Sequence, residues 1–105
     1  MAERPERLTD DRIAEGLARL PLWERDGDRI VREFQFADFV AALGFIVEVG
    51  ALAERADHHP EIVNTYSHVR IALSTHDAGG ITDLDLKLAE AISARVPWLR
   101  STPSQ

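Results

Sequence analysis

Residues 37–57, ADFVAALGFIVEVGALAERAD, constrain this chain more than any other stretch. They hold helical spacing longest, and only Asp38, Glu48, Glu54, Arg55 and Asp57 among them are charged. Phe39, Leu43, Ile46 and Gly50 follow one face, and Val40, Val47 and Leu52 widen it. A helix so apolar around its girth is expected to be central or shared with a second chain. Gly44 and Gly50 lower helix propensity, so close packing is expected at them. Pro60 sets the end: it pushes His59 toward an extended backbone, which places the helix terminus near Asp57 or His58. The most apolar run, Phe39 to Val47, has nine residues before Glu48, too few to span a bilayer.

Other elements arrange themselves around this helix. Thr9 caps a first helix with acids in its first turn and Ile13, Leu17 and Leu20 at helical spacing; Pro21 stops it. Two short extended runs then flank Asp26-Gly27, a hairpin signal. In the second run Ile30, Phe34 and Phe36 share a face, and Arg32 on that face breaks the alternation. After Pro60, IVNTY and HVRIALSTH read as two strands, with Val69, Ile71 and Leu73 alternating. DAGG is a turn. Thr82 caps a last helix carrying Leu84, Leu88 and Ile92, stopped by Pro97. The order αββαββα implies an α+β fold, three helices over one face of a four-stranded antiparallel sheet. At 105 residues, 45% hydrophobic and 29% charged, a single globular domain is expected, with loose polar tails at 1–7 and 101–105.

Composition removes several functions. The net charge of −6 argues against a nucleic-acid partner, which would favour a basic face. Without cysteine there is no disulfide, thiolate metal site or cysteine nucleophile. The opening MAERPERLTDD has no apolar core, so no secretory signal and a cytoplasmic location are expected, with no membrane partner.

The chemistry-bearing residues cluster at the end of the long helix. Glu54 and His58 are four apart and expected to touch, the carboxylate orienting the ring and selecting its tautomer. His59 follows at the helix exit, so the two imidazoles point differently. His76 is expected to end the fourth strand, opposite the Val69/Ile71/Leu73 face. Plainer readings stand beside these. A histidine at a helix C-terminus is favoured by the macrodipole alone, Asp85 at the third position after Thr82 completes a capping box, and Tyr66 packs half-buried on a strand. Two chemistries remain open on spacing: a metal held by three histidines and Glu54, or metal-free acid–base catalysis. Adjacent His58 and His59 start out diverging, which favours proton transfer.

Glu54-x3-His58-His59-Pro60, five residues to Tyr66, nine to His76 and eight to Asp85, resembles the signature of the pterin-4a-carbinolamine dehydratases. These are also known as dimerization cofactors of a homeodomain transcription factor. The phrases DHHPE and STHDAGGIT are similar to that family's two motif blocks, and the resemblance runs from Leu8 to Ile92. It implies a four-stranded antiparallel sheet with helices on one side, and dehydration of 4a-hydroxytetrahydropterin to quinonoid dihydropterin without metal or organic cofactor. It places His58, His59 and His76 as acid–base groups and Glu54 as their orienting carboxylate. Asp57, His58, His59 and Pro60, then Ser74, Thr75, His76 and Asp77, with Asp85, would meet the pterin; Trp23 would form an aromatic wall. It also implies a homodimer or homotetramer. The alternative is a non-catalytic interaction or assembly-factor role on the same fold, against which the intact motif argues.

Overall fold

A computed structural model of the chain describes residues 5–99. The expected tails therefore lie partly outside the described residues. Within them Leu8 N–H donates to the Ile81 carbonyl at 2.9 Å, tying the N-terminal segment to the loop before the last helix.

The elements run α1 (Asp10–Leu17), β1 (Glu24–Asp26), β2 (Arg29–Gln35), α2 (Phe39–Ala56), β3 (Glu61–Thr65), β4 (His68–Leu73), a 3-10 turn (His76–Ala78) and α3 (Asp83–Ala94). The αββαββα order and the antiparallel sheet are as the periodicity implies. The strands lie in the order β1-β2-β4-β3, so β2 and β4 are central. Ile30 opposite Leu73, Arg32 opposite Ile71 and Phe34 opposite Val69 form the face beneath the helices. Glu33 opposite Arg70 and Gln35 opposite His68 form the open face. There His68 Nε2 pairs with Glu33 at 3.0 Å, a surface contact unconnected to the other histidines. The first hairpin's loop falls on Gly27 and Asp28; Gly27 has φ +62°, a conformation glycine takes without steric cost.

The core is built on Phe34, whose ring centroid stands 4.7 Å from Phe45 of α2 and 6.3 Å, edge-on, from Trp23. Burying one such ring contributes about 1.5–3 kcal/mol. Gly16 lies against the Leu86 side chain of α3: a Cβ there would stand 2.5 Å from Leu86 Cδ1, so that side chain would have to move.

The face of α2 differs from the sequence expectation. Ala42, Phe45, Val49 and Ala53 face the core, whereas Phe39, Val40, Leu43 and Val47 are 48%, 74%, 42% and 71% exposed. Hydrophobicity could not distinguish the faces because both are apolar. Side-chain size distinguishes them: two alanines let the helix lie close to the sheet. Gly44 and Gly50 have open space where a Cβ would stand, so no close packing is made at either within the described chain. Tyr66 is likewise not half-buried: it is 81% exposed, at φ +52° in the β3–β4 turn.

Candidate active site

The site begins with how α2 stops. Asp57 adopts the left-handed conformation, φ 52° and ψ 43°, and its N–H reaches back to the Ala53 and Glu54 carbonyls. The His58 N–H then donates to the Ala53 carbonyl at 3.1 Å. This closure satisfies the helix end but costs a non-glycine residue roughly 1–2 kcal/mol. It also reverses the chain, so two consecutive histidines leave in different directions. His58 turns inward and is 9% exposed; His59 stays on the surface.

Each ring meets its own carboxylate. Asp85 Oδ1 accepts from His58 Nε2 at 2.5 Å, and Glu54 Oε1 accepts from His59 Nε2 at 2.6 Å. This corrects the expected pairing of Glu54 with His58. The four-residue rule holds only while the helix continues, and the reversal at Asp57 swings His58 away and brings His59 onto Glu54. Asp85 is wholly buried on α3. Its Oδ2 accepts from Thr75 Oγ1 and from the Thr82 backbone N–H, both at 2.9 Å. The Thr75 and Thr82 hydroxyls meet each other at 2.7 Å. Asp85 thus completes the capping box with one oxygen and holds a histidine with the other. Sequence reasoning saw the box and the spacing separately; the 27-residue contact that unites them is tertiary.

His76 does not end a strand. β4 stops at Leu73, and Thr75 pairs with Gly80 in an isolated bridge, its N–H donating to the Gly80 carbonyl at 2.9 Å. That bridge forces a turn, so period-2 alternation does not reach His76. The exposed ring instead follows directly on Thr75, which belongs to the Asp85 network. Thr75 is therefore committed to Asp85, and Ser74 Oγ donates to the Asp28 carbonyl at 2.8 Å. Asp77 is exposed beside His76, and Pro60 is half-buried after His59.

Trp23 is not brought to this cluster. It is 4% exposed in the core, and its Nε1 donates to Ser93 Oγ at 2.8 Å. Ser93 is near the other end of α3 from Asp85, about 12 Å along the axis at 1.5 Å per residue. A large aromatic at the start of a hairpin fits a core position as readily as a pocket wall, and only packing distinguishes them. Among the described residues no three His, Cys, Asp or Glu side chains converge on one metal position. Two of the larger clefts, of about 340 and 450 Å³, are lined by residues other than the histidines.

Residues 6–95 match the family described as Pterin 4 alpha carbinolamine dehydratase. The chain belongs to that family. A Chloroflexus aurantiacus protein named "Putative pterin-4-alpha-carbinolamine dehydratase" is 51% identical over 86 residues, covering 82% of this chain and 92% of that one. A Natronomonas pharaonis protein of the same name is also 51% identical over 86 residues, covering 81% and 90%. The crystal structure of a transcriptional coactivator/pterin dehydratase from Brucella melitensis superposes with a TM-score of 0.82 at 40% identity, over 85% of this chain and 97% of that one. A pterin dehydratase-like protein described as a RuBisCO assembly factor in the alpha-carboxysome shares the fold, with a TM-score of 0.52 at 24% identity over 77% and 92%. No helix among the described residues is long and apolar enough to cross a membrane.

Proposed function

We propose that this dehydratase-family chain removes water from a 4a-hydroxytetrahydropterin, giving quinonoid dihydropterin, by histidine acid–base catalysis. One observation carries the reading: consecutive histidines at the end of α2, each with Nε2 held by a separate carboxylate. With Nε2 committed, Nδ1 of each ring is left to exchange a proton with a ligand. The reaction needs two transfers. An acid delivers a proton to the 4a-hydroxyl, which leaves as water, and a base takes a proton from the ring system as the new double bond forms. His58, His59 and His76 are the groups for these steps. Asp85 and Glu54 orient His58 and His59, while Asp57, Pro60 and Asp77 border the pterin. No metal or organic cofactor is part of the proposal. It includes a cytoplasmic location and a role in recycling pterin for an aromatic amino acid hydroxylase.

The purified chain is expected to accelerate 4a-carbinolamine dehydration above its spontaneous rate, and His58→Ala or His76→Ala to lower the catalysed rate about 100-fold or more. No acceleration by the wild type would overturn the reading.

Self-association belongs to the same proposal. The exposed stripe Val40, Leu43, Val47 lies on one side of α2, with Gly44 in the same row. An apolar row with a small residue admits a second helix closely, and such a face is seldom left to solvent. Val47→Glu is expected to lower the mass measured by light scattering. An unchanged mass, or a wild type already monomeric, removes this interface.

A further inference from the structure

Arg32 breaks the apolar alternation of β2, and the fold does not expel it. The side chain lies beneath the helices and is 5% exposed. Nη1 donates to Ser93 Oγ at 3.0 Å and Nη2 to the Leu99 carbonyl at 2.9 Å. The guanidinium carbon stands 4.5 Å from the centroid of the Phe34 ring. Nε is enclosed and meets no acceptor among the described residues, and no carboxylate there pairs with the guanidinium. Buried charges are ordinarily paired, because neutral acceptors replace only part of their hydration. Here the guanidinium has two neutral acceptors and an aromatic face.

The same arginine lines a cleft of about 450 Å³. Its walls are the Arg19–Leu22 connection, the last turns of α3 at Glu90 and Ser93, and the segment from Val96 to Leu99. Leu20, Leu22, Val96 and Leu99 make most of it apolar, and among the described residues the charges facing it are Arg19, Arg32 and Glu90. Ser93 Oγ accepts from both Trp23 and Arg32, so its own O–H remains a donor. The cleft is separate from the histidines, whose support Asp85 sits eight residues earlier on α3.

We propose that this cleft binds a small organic monocarboxylate, its charge on Arg32 and its apolar body against Leu20, Leu22 and Val96. The Leu99 carbonyl is a neutral acceptor that a carboxylate, the stronger acceptor, can displace. A neutral apolar molecule would leave the guanidinium without a counter-charge. Inorganic phosphate would leave the apolar walls unfilled.

The test is an NMR titration of the full chain with 3-phenylpropionate, beside 3-phenylpropanol and inorganic phosphate. Saturable shifts are expected at Ser93, Leu99 and the Arg32 Nε–H with the carboxylate. The alcohol should bind about tenfold more weakly or not at all, for loss of one charge-assisted contact. Arg32→Met should abolish the response. Should that variant not fold, Glu90→Gln carries the test: removing the like charge should tighten the carboxylate about two- to threefold and leave the alcohol unchanged. No saturable response, an equal response to the alcohol, a response to phosphate alone, or shifts centred on His58 and His59 would each overturn the proposal. So would unchanged binding in folded Arg32→Met. Arg32 would then be only a clasp for the turn ending at Leu99.

Discussion

The two ends of α3 carry buried polar clusters of opposite completeness. At the N-terminal end, Asp85 is fully buried and both of its oxygens are occupied, by His58 on one side and by Thr75 and the Thr82 N–H on the other. Near the C-terminal end, Arg32 shares Ser93 with Trp23, takes a neutral carbonyl, and among the described residues leaves Nε without an acceptor. The contrast separates two uses of a buried charge. A saturated network holds its members in one arrangement, which suits the support of a ring that must present one nitrogen. An unsaturated one retains binding capacity. Proximity to the histidines is therefore less informative than whether each polar atom has a partner.

Asp85→Asn should break the comparison most severely. The amide keeps one acceptor but puts an N–H in place of the other, facing either His58 or the Thr82 N–H, both of which donate to the carboxylate. Each buried donor left without its charged acceptor costs about 1–3 kcal/mol or more, readable as a lower urea midpoint. Dehydration should fall by about 100-fold as His58 loses its fixed tautomer. A variant with wild-type stability and rate would mean that the Asp85 network is not a support.

Ser93→Ala probes the other end and should cost less, about 1–3 kcal/mol for donors left without their acceptor. Because Trp23 Nε1 is one of those donors, its fluorescence should change together with the urea midpoint, while dehydration stays unchanged. A fall in dehydration comparable to that of Asp85→Asn would show the two ends to be coupled rather than independent.

Much of this was legible in the sequence, for local reasons. Thr9 and Thr82 act through hydroxyls that accept from nearby backbone N–H groups, and Asp26-Gly27 and Pro60 through their own backbones, so these helix boundaries and the hairpin are legible from single residues. The Val69, Ile71, Leu73 alternation marks the buried face of β4 because the polar His68 and Arg70 on the other side are only half-buried. What failed depended on geometry beyond the local repeat. The core side of α2 is not legible from hydrophobicity because its alanines, less hydrophobic than the leucine and valines opposite, serve closeness of approach. The Glu54 pairing was misassigned because a left-handed Asp57 ends the helical spacing one residue before His58. Arg32 was visible as a break in the pattern, but the cleft beside it exists only once Leu20, Ser93 and Leu99 have been brought together.

An exposed ion pair supplies the lower end of the scale. Asp10, in the first turn of α1, accepts from Arg25 Nη1 at 2.8 Å, and its side chain is 87% exposed. The hydrogen bond to Arg25, then its charge, hold the Asp10 carboxyl below the ordinary value of 3.8. A depressed carboxyl in the folded state means that the pair stabilises above that value and ceases to do so as pH falls through the folded one. Because both groups remain in water, Asp10→Asn should barely move the urea midpoint at neutral pH. The effect belongs in the titration. Followed by NMR, the Asp10 carboxyl should titrate below 3.8 in the wild type, and return toward 3.8 in Arg25→Met or in about 1 M salt, where the Debye length is about 3 Å. If Asp10→Asn instead destabilised the chain as much as Asp85→Asn, burial and saturation would not be what distinguishes the charges of this fold, and the contrast between the two ends of α3 would lose its basis.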